Sequence, residues 1–301
     1  MTDAAAIQPR RDLIAWVVLF SIGICWGLTG PLSKVAVSTG HHPVAVTFWS
    51  VLVSVVVFSI VLVVRRIVPP FDLRHVIFFF ICGFLGTAMP NTLSYEAYRH
   101  LPVGINVMIL SLVPMATLLL SVALRLERVD ARRAFGLGLG VIGVALITLP
   151  EASLPSPELA VFVALPVIVS LSYAAENVYI AKMKPDGATT LIVMWGLSVG
   201  GFLLIAPLAF GLGVVFDVTA MGPPEQAVLA SGALHLIAYF GFVWLIARAG
   251  PVFASQVGYI VTGTGVLLGM ALFDERHSVW VWAALAVMMI GLTLVRPKSD
   301  P

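Results

Sequence analysis

The chain has 301 residues, of which 60% are hydrophobic and 11% are charged, and its formal net charge is +2. Soluble domains carry about 25% charged residues, so this composition excludes a water-soluble fold, and the small net charge argues against a nucleic-acid partner. Both cysteines, Cys25 and Cys82, lie within apolar segments, and no disulfide framework is predicted. We therefore expect an integral membrane protein that is surrounded by a lipid bilayer.

Ten apolar segments follow in chain order, each near the roughly 20 residues that a helix needs to cross the hydrocarbon core. They lie at about 13–33, 43–64, 73–98, 101–124, 131–149, 159–181, 188–210, 225–248, 251–273 and 279–296. None shows the alternating polarity of a membrane β-barrel. The first segment is too long for the apolar part of a signal peptide, so we expect it to be retained. The predicted fold class is all-α, with ten transmembrane helices.

Lysine and arginine are distributed unevenly between the two sets of loops. If the N-terminus is cytoplasmic, Lys34, Arg99 and Arg276 lie outside, and the other 14 of the 17 basic residues lie on the cytoplasmic side. Cytoplasmic loops of membrane proteins are enriched in Lys and Arg. We therefore expect both termini to be cytoplasmic, in a bacterial-type inner membrane.

The two halves of the sequence repeat the same landmarks. Glu127-Arg128 returns as Glu275-Arg276, and Lys34 returns as Lys182, each 148 positions later. Each half contains five predicted helices, and because five is odd, the second half enters the membrane from the opposite side. We predict two inverted five-helix repeats, 1–150 and 151–301, around a central cavity, as in many secondary transporters. Duplication retained only for packing is the alternative, and some channels and membrane enzymes also contain inverted repeats.

Four segments carry motifs in a characteristic order. They are CWGLTGPLSKVAV from Cys25, RHLPVGINVMILSLVPMATLLLSVALRLERV from Arg99, GLGLGVIGVALIT from Gly136, and the second E-R…I-G pattern from Glu275. Their order and spacing over nearly the whole chain resemble the EamA type of the drug/metabolite transporter superfamily. The resemblance implies a ten-helix exporter of small metabolites, and the chain is similar to the branch that exports aromatic and neutral amino acids. Members often carry Arg in the second helix, where this chain has Trp49, so a charge-based substrate preference is not carried over.

Ionisable groups at bilayer depth are candidate substrate-binding residues, because a charge there costs roughly 2.5–3.5 kcal/mol on insertion scales. Glu176 lies in the sixth segment beside Tyr173 and Asn177. We expect Glu176 either to bind a substrate ammonium or carry a proton, or to be a protonated carboxyl hydrogen-bonded between helices. His235 and Tyr239 lie four positions apart in the eighth segment, where a histidine suits proton coupling or a hydrogen bond to substrate. A purely structural histidine is the alternative.

The third segment places Asn91, Tyr95 and Tyr98 on one helical face. Pro90 removes a backbone N–H and is expected to free the carbonyl of Gly86, so this helix is expected to line a cavity. Asn91 and Tyr95 are the predicted binding residues of this face. Tyr98 is predicted to belong to the aromatic belt at the membrane interface.

Three further polar or aromatic positions are candidates. Trp26 lies deep in the first segment and forms either a cavity wall or simple packing. Asn106 and Gln256 occupy nearly matching places in the two halves, where an amide either binds substrate or joins helices. We predict that Gln256 binds substrate and that Asn106 forms a hydrogen bond between helices. Glu96 is expected to pair with Arg99.

The function classes can be ranked from these features. No cofactor is predicted, and no metal site, because no second His, Cys or carboxylate lies at ligand spacing. No Walker motif indicates ATP, and neither an H-E-x-x-H motif nor a second acid beside Glu176 indicates an intramembrane enzyme. The leading hypothesis is a monomeric secondary exporter of aromatic or neutral amino acids, or similar metabolites, that works by alternating access. A proton-coupled multidrug or nucleotide-sugar-type transporter is the alternative, and a channel or an enzyme ranks below it.

Overall fold

The computed structural model describes residues 4–126, 129–149, 154, 156–249, 254 and 256–295. In these ranges all regular secondary structure is helical, without strands. The α-helices are α1 Ala4–Ser38, α2 Pro43–Val64, α3 Leu73–Gly83, α4 Met89–His100, α5 Val103–Leu110, α6 Val113–Ala123, α7 Ala131–Thr148, α8 Ala164–Met183, α9 Thr190–Gly211, α10 Pro223–Ala249, α11 Val257–Phe273 and α12 Val279–Val295. A π-helix, Phe84–Ala88, joins α3 to α4, and 3-10 helices occupy Pro157–Val163 and Val218–Ala220.

Eight helical segments of the described chain are long and apolar enough to cross a membrane. They are Leu13–Ser38, Pro43–Val64, Leu73–His100, Val103–Ala123, Ala131–Thr148, Pro157–Met183, Thr190–Gly211 and Pro223–Leu245. Helices α11 and α12 are also apolar but have 17 residues each. Most predicted segment boundaries agree with these helices to within a few residues. The protein is an all-helical integral membrane protein.

Two of the membrane-spanning segments are interrupted, and a proline accounts for each interruption. Pro114 lacks the N–H that would bond to the carbonyl of Leu110, and α5 ends at that residue. The hydroxyl of Ser111 donates to the carbonyl of Met108 at 2.6 Å and satisfies one acceptor at the break. Pro90 also lacks an N–H, and it lies just after the π-helix that interrupts the other segment. Both breaks lie in the first half of the chain.

The helices of the first half pack mainly against those of the second half. Helix α1 contacts α10 and α11, while α8 contacts α4 and α6. Three further contacts join α2 to α9, α5 to α11 and α7 to α12. Between α7 and α12 the backbones touch, because a Cβ at Gly136 would lie 2.9 Å from the carbonyl oxygen of Gly291. Small residues permit such close approach between membrane helices.

The outer surface of the bundle carries many large apolar side chains. Val63, Val141 and Leu267 are examples, with exposed fractions of 76%, 71% and 63%. Contiguous exposed apolar surface of this kind is unfavourable in water and favourable against lipid tails. The interior contains fully buried residues such as Met108 and Met288, which belong to one cluster between α5 and α12. The distribution of apolar side chains is that of a protein immersed in a bilayer.

Two expectations about the ends of the helices have different outcomes. Glu96 accepts hydrogen bonds from Arg99 at 3.1 Å and from His100 at 2.9 Å, as predicted for the arginine. The assignment of Tyr98 to the interfacial belt is wrong, because this side chain is 6% exposed and packs in a core cluster with Val103. Gly30 leaves room for the hydroxyl group of Tyr98, since a Cβ at Gly30 would lie 3.2 Å from the hydroxyl oxygen.

The repeated pair Glu127-Arg128 lies outside the described residues.

Candidate functional site

The π-helix between α3 and α4 determines how Glu176 is enclosed. In the π-helical register the carbonyl that loses its partner at Pro90 is that of Leu85, five residues earlier, and not the predicted Gly86. Ser172 on α8 donates its hydroxyl to the Leu85 carbonyl at 2.6 Å. The neighbouring helix therefore satisfies the break. Gly86 lies directly against Glu176, because a Cβ at this position would overlap the carboxylate.

Glu176 is a buried carboxylate, 9% exposed, on α8. Within the described residues no hydrogen-bond donor and no cation reaches it. The thiol of Cys82 and the hydroxyl groups of Tyr173 and Tyr239 lie within electrostatic range of this carboxylate. A carboxylate that protein encloses without a partner is costly in its charged form. Binding of a proton or of a cationic group removes that cost.

A set of polar side chains surrounds this carboxylate on α4, α6 and α8. The hydroxyl of Tyr173 donates to the side-chain oxygen of Asn91 at 3.3 Å, which joins α8 to α4. One turn further along α8, the side-chain amide of Asn177 donates to the hydroxyl of Thr117 on α6 at 3.4 Å. Asn177 is exposed and Asn91 and Tyr173 are partly exposed. These three predicted residues therefore present accessible hydrogen-bonding groups beside Glu176.

A second set lies on α1 and α10. The indole N–H of Trp26 donates to Nδ1 of His235 at 3.2 Å, and the ring of Phe242 lies 5.4 Å from the indole ring, centroid to centroid. His235 is exposed although protein surrounds it, a combination typical of a residue that lines an internal cavity. Tyr239, one turn further along α10, is partly exposed and stacks edge-on against Phe58. Tyr239 lies within electrostatic range of Glu176, so the two sets are close to each other.

Two predicted site residues form no hydrogen bond with either set among the described residues. Tyr95 is 7% exposed and shares a 2.8 Å hydrogen bond with Ser50, so its hydroxyl group joins α4 to α2. Gln256 precedes α11 and is partly exposed. Asn106, which we expected to join helices, is fully buried, and its amide lies near the hydroxyl group of Tyr98 on α4 but outside ideal hydrogen-bond geometry.

Sequence reasoning missed two residues that shape the site, Thr117 and Ser172. It named Gly86 for its carbonyl, through Pro90, but did not predict the contact of Gly86 with Glu176. No pattern identifies Ser172 or Thr117, because serine and threonine in membrane helices usually bond to a carbonyl of their own helix. Their bonds to another helix depend on how α8 packs against α4 and α6.

No group of three His, Cys, Asp or Glu side chains within the described ranges is arranged to hold a metal ion. An apolar groove of about 550 Å³ lies between α6, α7 and α8. Its lining includes Leu112, Met115, Leu119, Leu137 and Val141. None of the predicted substrate-binding residues lines it. The polar groups around Glu176, and not this groove, form the candidate site.

Comparison with known proteins agrees with this description. Residues 13–149 match the EamA-like transporter family. Protein PecM of Dickeya dadantii (strain 3937) is 26% identical over 287 residues, which cover 92% of this chain and 93% of that protein. A solved structure, described only as the crystal structure of a protein, has a TM-score of 0.60 and 17% identity, and the match covers 93% of this chain and 95% of that one. That likeness concerns the fold alone. The family resemblance predicted from the motifs is confirmed over residues 13–149.

Proposed function

Because the chain carries an EamA-like transporter family domain of the drug/metabolite transporter superfamily, we propose that it exports aromatic and neutral amino acids, or similar small metabolites, by alternating access. The observation that carries the proposal is the buried carboxylate of Glu176, unpartnered among the described residues, beside accessible hydrogen-bonding groups of Asn91, Tyr173 and Asn177. Intramembrane ionisable groups that face polar surroundings are typical of transport pathways.

The proposed architecture is ten membrane spans in two inverted repeats, 1–150 and 151–301. Span n of the first repeat then corresponds to span n+5 of the second. Under this correspondence the contacts of α1 with α10 and α11 are equivalent to those of α8 with α4 and with α5 and α6, and the pairs α2–α9, α5–α11 and α7–α12 map onto themselves. This symmetry of the helix contacts supports the proposal. Helices α11 and α12, with 17 residues each, would be the ninth and tenth spans.

The hydrogen bonds of the candidate site follow the same symmetry. Trp26–His235 joins spans one and eight, and Tyr173–Asn91 joins spans six and three, which are equivalent pairs. Each bond links the two proposed repeats. Substrate sites of inverted-repeat transporters lie where the repeats meet, near the middle of the bilayer. The location of both bonds therefore favours a single site between them.

The chemistry of these groups suits a zwitterion with an aromatic side chain. The carboxylate of Glu176 attracts an ammonium group, and the rings of Trp26, Tyr173 and Tyr239 offer stacking and cation–π contacts. The amides of Asn91 and Asn177 donate hydrogen bonds to a substrate carboxylate.

A single carboxylate also provides a simple means of coupling. Glu176 binds either a proton or the substrate ammonium, because both neutralise the same charge. Binding of a proton from one side then favours release of substrate on that side, which is the exchange required of a proton-coupled exporter. The proposed orientation, with both termini cytoplasmic in a bacterial inner membrane, would direct this exchange outward. It rests on the distribution of Lys and Arg in the loops.

The test is substrate counterflow in proteoliposomes that contain the purified protein. Vesicles are loaded with one unlabelled neutral or aromatic amino acid, and uptake of the radiolabelled form is measured, with protein-free vesicles as the control. We expect saturable counterflow for at least one aromatic amino acid. Absence of saturable flux for every neutral and aromatic amino acid would overturn the proposal. A parallel panel of cationic drugs and nucleotide sugars would show whether the substrate class is a different one.

A further inference from the structure

On one face of the helix bundle a single carboxylate makes four close contacts. Glu275, in the loop between α11 and α12, accepts backbone N–H bonds from Val103 at 2.6 Å and Gly104 at 3.1 Å. It also accepts from the ammonium group of Lys34 at 3.2 Å, and His277 lies 3.7 Å away. We call Lys34, Glu275 and the N-terminus of α5 the latch, and the face of the membrane on which they lie the latch face.

The latch connects three separate parts of the chain. Lys34 lies near the end of α1 and also donates to the carbonyl of Leu101 at 3.3 Å. Val103 and Gly104 begin α5, where a negative charge is stabilised by the unpaired N–H groups and the helix dipole. Glu275 belongs to the second half of the chain, so the latch holds the two halves together. The side chain of Glu275 is 6% exposed, whereas that of Lys34 is 27% exposed.

The local sequence is suited to this arrangement. Asp274 ends α11 in the left-handed conformation with φ of 53°, which turns the chain so that Glu275 points back toward α5. Gly269 leaves space for the carboxylate, since a Cβ there would lie 2.5 Å from its Oε2 atom. Gly104 leaves space for the imidazole of His277 in the same way.

A second contact between the halves lies on the same face. His41, in the loop after α1, pairs with Glu225 at 2.9 Å and stacks on Phe216 with ring centroids 4.0 Å apart. On the opposite face, basic residues at helix ends, such as Lys182 and Arg248, are exposed. Lys182 has no ion-pair partner among the described residues, although it is the sequence counterpart of Lys34. On that opposite face Arg132 and Arg133 donate to the backbone carbonyls of Thr293 and Val295 at 3.3 and 3.2 Å, whereas at the latch face the ion pairs of Glu275 and Glu225 join the two halves.

We propose that the latch is the gate of the latch face: Glu275 must leave Lys34 and the N-terminus of α5 before the polar site opens to that side. This inference rests on the proposed alternating-access function. The ion pair and the helix cap exist only when the two halves are together at this face. Their loss therefore favours the conformation that is open at the latch face. A change in differential stability shifts the populations of the two states accordingly.

The experiment measures access to the site from each face separately and needs no substrate. A single cysteine replaces His235, which is exposed and enclosed, after Cys25 and Cys82 are changed to serine. A membrane-impermeant maleimide is applied to sealed vesicles of both orientations. With Glu275→Gln we expect labelling from the latch face to rise by roughly tenfold, the change given by about 1.4 kcal/mol, and labelling from the opposite face to fall.

Two matched variants make the outcome specific. Lys34→Gln keeps the helix cap and should produce a smaller rise. Asp274→Asn removes a neighbouring exposed carboxylate, and asparagine tolerates the left-handed conformation, so labelling should not change. Opposite changes at the two faces support the gate. Unchanged labelling in Glu275→Gln, or an equal rise at both faces, would overturn it, because the equal rise indicates general loosening.

Failure of this inference is distinguishable from failure of the proposed function. Counterflow is measured with the unchanged protein, and labelling with the protein that carries His235→Cys. Normal amino-acid counterflow by the unchanged protein, with labelling that Glu275→Gln leaves unaltered, refutes the gate alone. Absence of counterflow by the unchanged protein, with opposite changes in labelling, refutes the substrate assignment and leaves the gate intact.

Discussion

Glu176 and Glu275 are the same chemical group in similarly enclosed places, but their surroundings differ. Glu275 accepts two backbone N–H bonds and the ammonium group of Lys34. Glu176 accepts no hydrogen bond from any described residue and lies against the bare backbone of Gly86. A buried charge whose lone pairs are satisfied contributes to holding a structure together, whereas one without partners is available to bind a cation. The comparison teaches that satisfaction of hydrogen bonds, more than burial, separates the carboxylate that joins the two halves from the one that we propose to bind a proton or substrate.

The largest effect on stability should come from Glu275→Ala. The substitution leaves two backbone N–H groups and Lys34 without their acceptor, and we expect a loss of about 2–4 kcal/mol. The melting temperature of the purified protein in detergent measures it, with Asp274→Asn as the control that removes a nearby exposed carboxylate. Equal melting temperatures for Glu275→Ala and the unchanged protein would contradict a structural role for this group.

Gly86→Ala should affect transport more than stability. The added Cβ would overlap the carboxylate of Glu176, so the side chain must move, and overpacking of this kind costs about 1–3 kcal/mol. We expect kcat/KM for export to fall by at least about tenfold. Gly138→Ala is the matched control, since nothing lies within 4 Å of a Cβ placed there. Equal transport by the two variants would argue against a role for the position of Glu176.

Glu176→Gln should leave stability nearly unchanged, within about 0.5 kcal/mol, or increase it, because no described partner loses its bond. Export should nevertheless become insensitive to an imposed proton gradient, since glutamine cannot bind the proton. Flux measured with and without a pH gradient gives the answer. Glu158→Gln, at an exposed position in the 3-10 helix before α8, should retain the response. A gradient response that persists in Glu176→Gln would exclude the coupling role.

The smallest effect should come from His277, which lies beside the latch. Burial lowers the pKa of its imidazole below the usual 6.5, and the charge of Glu275 opposes this shift only in part. Glu275, which also binds Lys34, and the ring of Trp282 face the imidazole. The closed latch lowers this pKa, so it binds the proton less readily than the open conformation does. Acid therefore disfavours the closed latch.

The thiolate is the form that reacts with maleimide, so the labelling rate of a cysteine at position 235 is divided at each pH by the rate of the same cysteine in the denatured protein. This ratio for the latch face should rise about two- to threefold as the pH falls from about 7.5 to 5.5. His277→Asn should flatten this response. The pair His41–Glu225 lies on the same face, so the measurement is repeated with His41→Asn. A pH response that His277→Asn leaves intact would show that another group controls it.

The sequence by itself determined the membrane class, the helical fold and most of the boundaries, because these depend on length and hydropathy along one segment. Apolar runs of about 20 residues in a bilayer have no low-energy alternative to a helix. The sequence also made Glu176 a candidate, because a lone carboxylate in an apolar run is costly wherever it faces, and its role in transport stays a prediction. Pro90 indicated the irregular turn, although the α-helical count placed the freed carbonyl one residue late.

Only the tertiary structure decided which polar groups meet. Tyr95 and Tyr173 look alike in the sequence, but one hydroxyl joins α4 to α2 and the other faces Asn91 beside Glu176. The cap that Glu275 provides for α5 joins residues 172 positions apart. Such contacts depend on the rotation and close approach of separate helices, which small residues such as Gly86 and Gly104 permit. A pattern within one helix carries no information about these distances.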